Sequence, residues 1–510
     1  MKNEPLVSVL VAMALLSACS SDGPANPATA GAGAFPAAGA GSSDGGSSAT
    51  AGAIGLGGTG TAGSMPNGGA SGRPTGGAAG SSGAVNGDAA GGSSGGTAGS
   101  SGGTAGSSSS GGTAGSSSGG GTAGSSSGGT AGAGSDRWVG TWTASPYLVA
   151  SGDQPPSALT NSVLRQVAHV SLGGSQIRVQ FSNLSGNGAV NIKSAHAAIC
   201  KATPAVDSTI DTATDKALAF AGMASVTITA GQEVWSDPID FAVGALGNVS
   251  ITTAFGSVPS DLTGHAGART TSYLQANSSN VSLATLSSAA KTDHWYYLSG
   301  IDVMANASAQ GAVAIGDSIT DGRGTDTNKN NRWTDILAAR LQANAGTKNV
   351  SMMNQGIGAT NLIGSTGTAA EARFARDVLG QSGVKYAIVY DGVNDIGGGA
   401  SFAAMKDVYD KLIVAAHDKG LLIYAGTILP FGDNGYYTAP HESVRQQVNT
   451  YLKSGVFDGY IDFDAGLTDG GTPPKLQAAY AAWSQQDGLH PGPAGYKKMG
   501  DTPVLTLFAK

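Results

Sequence analysis

Three residues in the second half of the chain carry side chains that together could cleave an ester. Ser318 lies in the segment GDSIT, directly after an apolar run, and Asp487 and His490 share the segment DGLHP. Attack of a serine on an acyl carbonyl needs a base for the hydroxyl proton and a carboxylate that orients that base. The sequence therefore predicts that Ser318 is a nucleophile activated by His490, with Asp487 holding the imidazole.

The same chemistry needs hydrogen-bond donors for the negative charge that develops on the carbonyl oxygen. The N–H of Ser318 would be uncommitted where a strand meets a helix start, and Gly356 in NQGIG has no side chain to obstruct its N–H. Asn394 in GVND can add a side-chain N–H. We expect Ser318, Gly356 and Asn394 to form an oxyanion hole.

The elements that must position these residues follow from the hydrophobic pattern after about residue 309. Helical periodicity is clearest over residues 333–341 and 402–413, and it alternates with short apolar runs typical of buried strands. The predicted strands are 313–316, 350–354, 386–390, 421–426 and 460–464. This alternation predicts a parallel sheet covered by helices on both faces, with its site at the carboxyl ends of the strands.

Residues 136–306 show a different pattern, with short runs of period two broken by Gly, Asn and Pro. The pattern predicts an antiparallel β module, most simply a β-sandwich. Its residues Trp142, Trp235 and Trp295 could form a carbohydrate-facing platform, although core packing is the more frequent role for any single tryptophan. The sequence leaves both interpretations open.

Several polar residues have simpler interpretations than catalysis. His169, His196 and His265 have no evident partner, which favours structural roles for all three. Asp317 and Asp395 lie beside predicted catalytic segments and are expected to hold loops in place. By its position after the fourth predicted strand, the loop over residues 431–437 is expected to overlook the site.

The amino-terminal part of the chain has the pattern of an export signal followed by a tether. Residues 1–18 are predicted to be a signal peptide, and the small residues before Cys19 resemble a lipoprotein signal, which implies lipid on Cys19 and a place in the outer membrane or at the cell surface. An ordinary signal peptide, the less favoured interpretation, would instead give a secreted protein. Residues 19–135 are rich in Gly, Ser, Thr and Ala, with a repeated GGTAGSS unit. Such a segment cannot bury enough apolar surface to fold, so we expect a disordered linker spanning roughly 55–65 Å.

Composition excludes some classes of function. A formal net charge of −7 gives no basic surface for nucleic acid, and no apolar run of membrane-spanning length follows the first twenty residues. Two cysteines and seven scattered histidines show no metal-binding spacing. We therefore expect neither a metal nor a cofactor.

Taken together, the four segments GDSIT, NQGIG, GVND and DGLHP resemble the signature blocks of the SGNH (GDSL-type) hydrolase family, which carry Ser, Gly, Asn and His in this order. The region 138–273, with its WVGTW opening, also resembles the β module that precedes this domain in some secreted bacterial esterases. The resemblance implies a flavodoxin-like three-layer α/β/α catalytic domain over residues 307–510. It also implies hydrolysis of short-acyl esters, with acetyl groups on polysaccharide as a first expectation.

Two other functions remain open from the sequence. The β module could be the active part of a surface carbohydrate-binding protein, with the hydrolase-like domain only supporting it. The same catalytic residues could also transfer an acyl group to a sugar hydroxyl instead of to water. The presence of all the catalytic residue types favours ester hydrolysis over the first alternative.

Overall fold

The computed structural model describes residues 135–201 and 207–510. The predicted signal peptide, Cys19 and most of the predicted linker lie outside these ranges. Among the described residues, no helix is both long and apolar enough to cross a membrane.

The first part of the described chain is built from antiparallel β-strands. The strands are β1 (Arg137–Thr143), β2 (Tyr147–Leu148), β3 (Val163–His169), β4 (Gly174–Ser182), β5 (Val190–Ile199), β6 (Lys216–Ala217), β7 (Val226–Ile228), β8 (Glu233–Trp235), β9 (Ile239–Val243), β10 (Asn248–Phe255), β11 (Thr263–His265), β12 (Ser272–Gln275), β13 (Ala290–Thr292), β14 (Trp295–Tyr296) and β15 (Leu298–Ala305). One sheet runs β1-β15-β4-β8, with β9 also paired to β4. A second sheet runs β13-β12-β3-β10-β5-β6, with β7 paired to β5, and a small third sheet runs β14-β11-β2.

The two larger sheets share one apolar core, as the alternating sequence pattern predicts. Ile177 and Val179 of β4 are buried while the residues between them are partly exposed. They belong to the same cluster as Val249 and Ile251 of β10 in the other sheet. Two antiparallel sheets facing one core form a sandwich, so this expectation is confirmed.

The second part of the described chain is an α/β domain with a single five-stranded parallel sheet. Its strands are β16 (Gln310–Gly316), β17 (Val350–Gly356), β18 (Val384–Tyr390), β19 (Leu422–Gly426) and β20 (Gly459–Ile461), in the order β17-β16-β18-β19-β20. Its helices are α1 (Ser318–Asp321), α2 (Trp333–Ala343), α3 (Ala370–Phe374), α4 (Val393–Gly397), α5 (Phe402–Asp418), α6 (Ala439–Leu452), α7 (Phe463–Leu467), α8 (Ala478–Ala481) and α9 (Pro493–Asp501). This strand order is that of a flavodoxin-like fold, as expected.

The five predicted strands are all present, although β16 begins three residues before its predicted start and β20 ends three residues before its predicted end. β20 ends at Ile461, whereas the apolar pattern extends to residue 464. The reason is a helix start, because the Asp462 side chain accepts a hydrogen bond from the Ala465 N–H and caps α7. Phe463 is therefore buried as a helix residue.

The β module closes the outer side of β17, the edge strand of the parallel sheet. The Met352 N–H donates to the Ser171 hydroxyl at 2.9 Å, and the Thr143 hydroxyl donates to the Asn354 carbonyl at 3.1 Å. Both backbone groups lie on the side of β17 that faces away from β16. Side chains of the module thus satisfy backbone groups that an edge strand would otherwise leave without a partner.

A buried arginine ties the module to the start of the catalytic domain. The Arg332 guanidinium donates to the carbonyls of Gly267 and Ala268 at 2.9 and 2.6 Å. Its Nε donates to the carbonyl of Asp321, at the end of α1, at 2.7 Å. One side chain therefore joins the module to the helix that begins at Ser318.

Of the two roles left open for the tryptophans, the structure supports packing and not a carbohydrate-facing platform. Trp142 and Trp295 are 7% and 5% exposed and pack edge to face in the module, with ring centroids 4.8 Å apart. Trp235 is half-buried and lies under the Arg178 guanidinium, 4.7 Å from its ring centroid. Burial of two of the three indoles leaves no shared aromatic face for a sugar.

Candidate active site

Ser318 begins the short helix α1 immediately after strand β16. Asp317 caps this helix, because its side chain accepts the Ile319 N–H at 2.8 Å. Gly316 makes the sharp strand-to-helix turn possible, since a Cβ there would lie 2.1 Å from the Tyr390 carbonyl oxygen. As the first helical residue, Ser318 has an N–H that no carbonyl within the helix can accept.

The structure brings Ser318, His490 and Asp487 into one hydrogen-bonded chain. The Ser318 Oγ lies 2.7 Å from His490 Nε2, and His490 Nδ1 lies 2.7 Å from Asp487 Oδ2. An ionised carboxylate only accepts hydrogen bonds, so Nδ1 carries the imidazole hydrogen and Nε2 accepts the Ser318 hydroxyl proton. This is the arrangement that a serine nucleophile with a histidine base requires.

The loop that carries Asp487 and His490 is held from both sides. Asp487 Oδ1 accepts the backbone N–H of His490 at 2.9 Å, which fixes the loop from within. Asn434 donates from outside to the Asp487 carbonyl at 2.8 Å, so the loop over residues 431–437 contacts the site as expected. Gly488 sits at φ +72°, and a Cβ there would meet the Asp433 backbone at 2.5 Å.

Charges around the loop keep His490 in the form of a base. Burial lowers the pKa of His490, and the positive charges of Arg323 and Arg269 act in the same direction, while Asp487 opposes them. Burial alone would raise the pKa of Asp487, but the hydrogen bonds from His490 hold it below its ordinary value. Near neutral pH the pair is therefore a neutral imidazole beside a carboxylate.

Asn394 is oriented so that an N–H remains for substrate. Its Nδ2 donates to the Thr360 carbonyl at 2.7 Å, and its Oδ1 lies 3.1 Å from the Tyr436 hydroxyl. Because a carbonyl can only accept, the Thr360 contact identifies which end of the amide is nitrogen. One of the two Nδ2 hydrogens is thus used by Thr360, and the second is left for an oxyanion.

The structure does not support Gly356 as an oxyanion donor. Its N–H donates to the Asn354 side-chain oxygen at 2.8 Å, so this hydrogen is already bonded. Glycine is required at this position for a different reason, since a Cβ would lie 2.2 Å from the Asp321 backbone nitrogen. Instead of donating to an oxyanion as expected, Gly356 permits close packing of β17 against α1.

A group of buried carboxyls lies behind the site, and two of them hold loops as expected. Asp395 accepts the N–H groups of Leu362 and Ile363 at 2.7 and 3.0 Å, and Asp317 caps α1. Burial raises the pKa of Asp317 to about 7 and raises that of Asp395. Burial also raises the pKa of the neighbouring Asp391.

Arg373 supports the ends of two strands at the site and was not singled out from the sequence. Its Nη2 donates to the Gly316 carbonyl at 2.9 Å, and its Nη1 contacts the carbonyl of Gln355. The positive charge is paired with Asp377 at 3.0 Å. An Arg and an Asp four residues apart on a helix are a common surface pair, so burial of this pair could not be predicted from the sequence.

His265 has a partner that the sequence did not reveal. Its Nε2 lies 2.9 Å from the Asp321 carboxylate in α1, and its Nδ1 lies 2.9 Å from the Ser145 carbonyl. Burial alone would raise the pKa of Asp321, but His265, followed by Arg269 and Arg332, lowers it. The β module thus contributes directly to the surroundings of the nucleophile's helix.

The two other histidines that the sequence assigned to structural roles also have polar contacts. His169 Nδ1 lies 2.7 Å from the Asn248 side chain, and His196 Nδ1 lies 2.9 Å from Asp215. Within the described ranges, no three His, Cys, Asp or Glu side chains are grouped as metal ligands.

Comparison with known proteins places the site in a family. Residues 314–498 match the model of the GDSL-like lipase/acylhydrolase family. No curated protein matches the chain.

Similar solved structures each cover about two fifths of this chain. A G-D-S-L family lipolytic protein from Desulfitobacterium hafniense is 20% identical over 38% of this chain and 97% of its own, with a TM-score of 0.31. A G-D-S-L family lipolytic protein from Veillonella parvula is 22% identical over 40% of this chain and 100% of its own, with a TM-score of 0.30. The acetylxylan esterase Axe2 from Geobacillus stearothermophilus is 18% identical over 38% of this chain and 91% of its own, with a TM-score of 0.30.

The family match runs from the end of β16 through most of α9 and includes Ser318, Asn394, Asp487 and His490. Residues 314–498 of this chain therefore form a domain of the GDSL-like lipase/acylhydrolase family.

Proposed function

We propose that this chain is a serine ester hydrolase that forms an acyl-enzyme on Ser318. The observation that carries the proposal is the pair of 2.7 Å contacts that join Ser318 to His490 and His490 to Asp487. Membership of residues 314–498 in an acylhydrolase family supports the same reaction class.

In the acylation step, Ser318 Oγ attacks the acyl carbonyl carbon while His490 Nε2 takes the hydroxyl proton. The carbonyl oxygen becomes an oxyanion, for which the Ser318 N–H and the second Nδ2 hydrogen of Asn394 are the donors. When the tetrahedral intermediate collapses, the bond to the alcohol oxygen breaks and His490 gives its proton to that oxygen. The alcohol leaves, and the acyl group remains on Ser318.

In the deacylation step, water takes the place of the alcohol. His490 accepts a proton from the water as its oxygen attacks the acyl-enzyme, and then returns that proton to Ser318 Oγ. The products are a carboxylic acid and free enzyme, so the proton balance closes without another reactant. Asp487 stabilises the imidazolium during both steps and keeps the imidazole oriented.

For the substrate, we propose a short acyl group, acetyl in the first instance, on a polysaccharide. The proposal of a short acyl group rests on the family resemblance. A series of p-nitrophenyl esters from acetate to octanoate measures the acyl preference of the full-length chain. A maximum of kcat/KM at acetate or butyrate is expected, and a maximum at octanoate would contradict the short-acyl proposal.

The reaction class is tested by p-nitrophenyl acetate hydrolysis in Ser318→Ala and His490→Ala. Each substitution is expected to lower kcat by about 10⁴-fold or more, on the precedent of other serine triads. Ser443→Ala, which changes an exposed serine on α6, is the matched control and should retain wild-type activity. Undiminished activity in Ser318→Ala would overturn the mechanism.

We also propose that Cys19 is lipidated after removal of residues 1–18, and that residues 19–135 tether the enzyme to the outer membrane or cell surface. Support comes from the lipoprotein-like sequence before Cys19 and from the composition of the following segment. Fractionation of cells that express wild-type and Cys19→Ala chains tests this. A Cys19→Ala protein that still sediments with membranes would contradict the anchor.

A further inference from the structure

A pocket of about 440 Å³ lies next to the catalytic histidine, and two arginines contribute to its wall. Arg323 follows α1 by two residues, and its backbone N–H donates to the Ser318 carbonyl at 2.9 Å. Arg269 comes from the β module. Burial is the largest cause of the lowered pKa of His490, and the positive charges of Arg323 and Arg269 lower it as well. Both arginines therefore lie within electrostatic range of the imidazole.

An indole separates this pocket from the imidazole. The Trp483 ring lies edge to face against His490, with centroids 6.3 Å apart, and it also lines the pocket. The Arg323 guanidinium carbon lies 5.9 Å from the Trp483 ring centroid. A flat apolar surface beside two cations suits a ligand that combines a sugar ring with an anionic group.

Two N–H donors in the pocket wall lack an acceptor. Arg269 Nε and Trp483 Nε1 are both buried, and neither has a hydrogen-bond partner among residues 135–201 and 207–510. A buried donor without an acceptor costs free energy, and such groups in native proteins generally have a function. Both side chains line the same pocket, and an acceptor oxygen of a ligand would satisfy either donor once that donor is uncovered.

The charge of the wall also favours an anion. Arg269 and Arg323 are opposed among the lining residues by one carboxylate, Asp326, whose Oδ2 already accepts the Asn331 amide at 3.0 Å. Asp487 lies at the inner edge, 3.7 Å from Arg323 Nε, but its Oδ2 is hydrogen bonded to His490. Neither carboxylate therefore pairs closely with Arg269.

The proton transfer from His490 indicates which part of the ester this pocket can hold. His490 must protonate the departing alcohol oxygen, so the alcohol part of the substrate lies on the His490 side of Ser318. Trp483 lies next to His490 and Arg323 lies next to Asp487, and Arg269 lines the same pocket. The pocket is thus placed to hold the alcohol part and not the acyl group.

We propose that this pocket is a subsite for an anionic group on the sugar that carries the acyl ester, with Arg269 and Arg323 binding the anion and Trp483 contacting the ring. The preferred substrate is then an acylated acidic saccharide. This inference rests on the proposed ester hydrolysis, because a bound sugar has no consequence for the reaction unless Ser318 acts on its ester.

The test compares mono-O-acetylated methyl α-D-glucuronoside with the equally acetylated methyl α-D-glucoside, which lacks only the carboxylate. A third probe, the 6-phosphate of the acetylated glucoside, separates a carboxylate from a phosphate. Acetate release by the full-length chain gives kcat/KM for each probe. The ratio of anionic to neutral kcat/KM serves as the readout, since it cancels any general loss of activity.

Wild-type protein is expected to prefer at least one anionic probe by tenfold or more. Arg269→Gln and Arg323→Gln should each reduce this ratio several-fold, and Arg269→Lys should restore part of it. Lys329→Gln removes an exposed positive charge from the same loop outside the pocket lining and should leave the ratio unchanged. Preference for the uronide identifies a carboxylate ligand, and preference for the phosphate identifies a phosphorylated sugar.

A ratio near one in the wild-type protein, with normal p-nitrophenyl acetate hydrolysis, would overturn the anionic subsite alone. The same holds for a ratio that neither arginine variant changes. Failure to hydrolyse any ester would instead overturn the proposed function, and the inference with it. Thermal melting of each variant shows whether a change in the ratio arises in folded protein.

Discussion

His265 of the β module and Asp321 of the nucleophile's helix lie 2.9 Å apart, and each side chain is only 5% exposed. They join the two parts of the described chain directly behind Ser318. A carboxylate so deeply buried is stable only while its partner remains, because its hydration is lost.

Removing the imidazole should therefore destabilise the whole protein. We expect His265→Ala to lower the free energy of unfolding by about 3–5 kcal/mol, the usual effect of leaving one member of a buried pair alone. Urea unfolding measures the change. His417→Ala is the control, because the half-exposed His417 contacts Asp458 at the surface and should contribute little. Equal effects of the two substitutions would contradict a structural role for the buried pair.

The pH dependence of catalysis should follow the lowered pKa of His490. A protonated imidazole cannot accept the Ser318 proton, so kcat/KM should fall as the pH falls through the pKa of His490. Because burial and then Arg323 and Arg269 lower this pKa, the midpoint of the acid limb should lie below the ordinary value of about 6.5. Arg323→Gln removes one positive charge and should move the midpoint to higher pH. A midpoint at or above 6.5 in the wild-type protein would contradict this assignment.

Asn394 is the side-chain donor that the structure leaves available to an oxyanion. Asn394→Ala should lower kcat by about 10²–10³-fold with a smaller change in KM, since the bond matters most in the transition state. Tyr436→Phe removes only the hydroxyl that faces Asn394 Oδ1, so its effect on kcat should be much smaller. Steady-state kinetics with p-nitrophenyl acetate distinguish these outcomes. A larger loss in Tyr436→Phe than in Asn394→Ala would argue for a direct role of the phenol.

The contribution of Asp317 to the stability of the protein should decrease as the pH rises. Burial raises its pKa from 3.8 to about 7 in the folded chain, so the folded state binds the proton more tightly than the unfolded state does. This contribution to stability is complete below about pH 4 and is lost as the pH rises through about 7. Asp317→Asn keeps an oxygen for the Ile319 N–H and carries no charge.

Urea midpoints of the wild-type protein and Asp317→Asn at pH 5 and pH 7.5 test this prediction. The difference between the two pH values should be smaller in the variant. Some dependence should remain, because burial also raises the pKa of Asp391 and Asp395. An identical difference in both proteins would contradict the prediction for Asp317.

Much of the fold and the contact between Ser318, His490 and Asp487 could be predicted from local patterns. Buried parallel strands are nearly continuous apolar runs, and their carboxyl ends meet at one edge, so residues after different strands are brought together. Asp487 and His490 are three residues apart in one loop, which limits how they can meet. The same reasoning failed for Gly356, although Asn354 two residues earlier is the pattern of a side chain that bonds its own backbone.

The contributions of the β module to the site could not be predicted. His265 and Asp321 are 56 residues apart in the sequence and belong to different parts of the fold. A local sequence pattern therefore cannot predict their contact. Arg269 likewise reaches the pocket beside His490 from a loop of the module. The tryptophans show the converse, since the sequence could not distinguish a sugar platform from core packing, whereas the burial of Trp142 and Trp295 does.

The hydroxyls of Ser171 and Thr143 bond the outer side of β17, so the catalytic domain without the β module would have an uncovered sheet edge. A chain that began at residue 307 would present β17 as an open strand, with N–H and carbonyl groups ready to pair with a second copy. Exposed edges of this kind lead to aggregation. The β module therefore keeps the catalytic domain from self-association, and soluble expression of residues 307–510 should require a polar or charged substitution along β17.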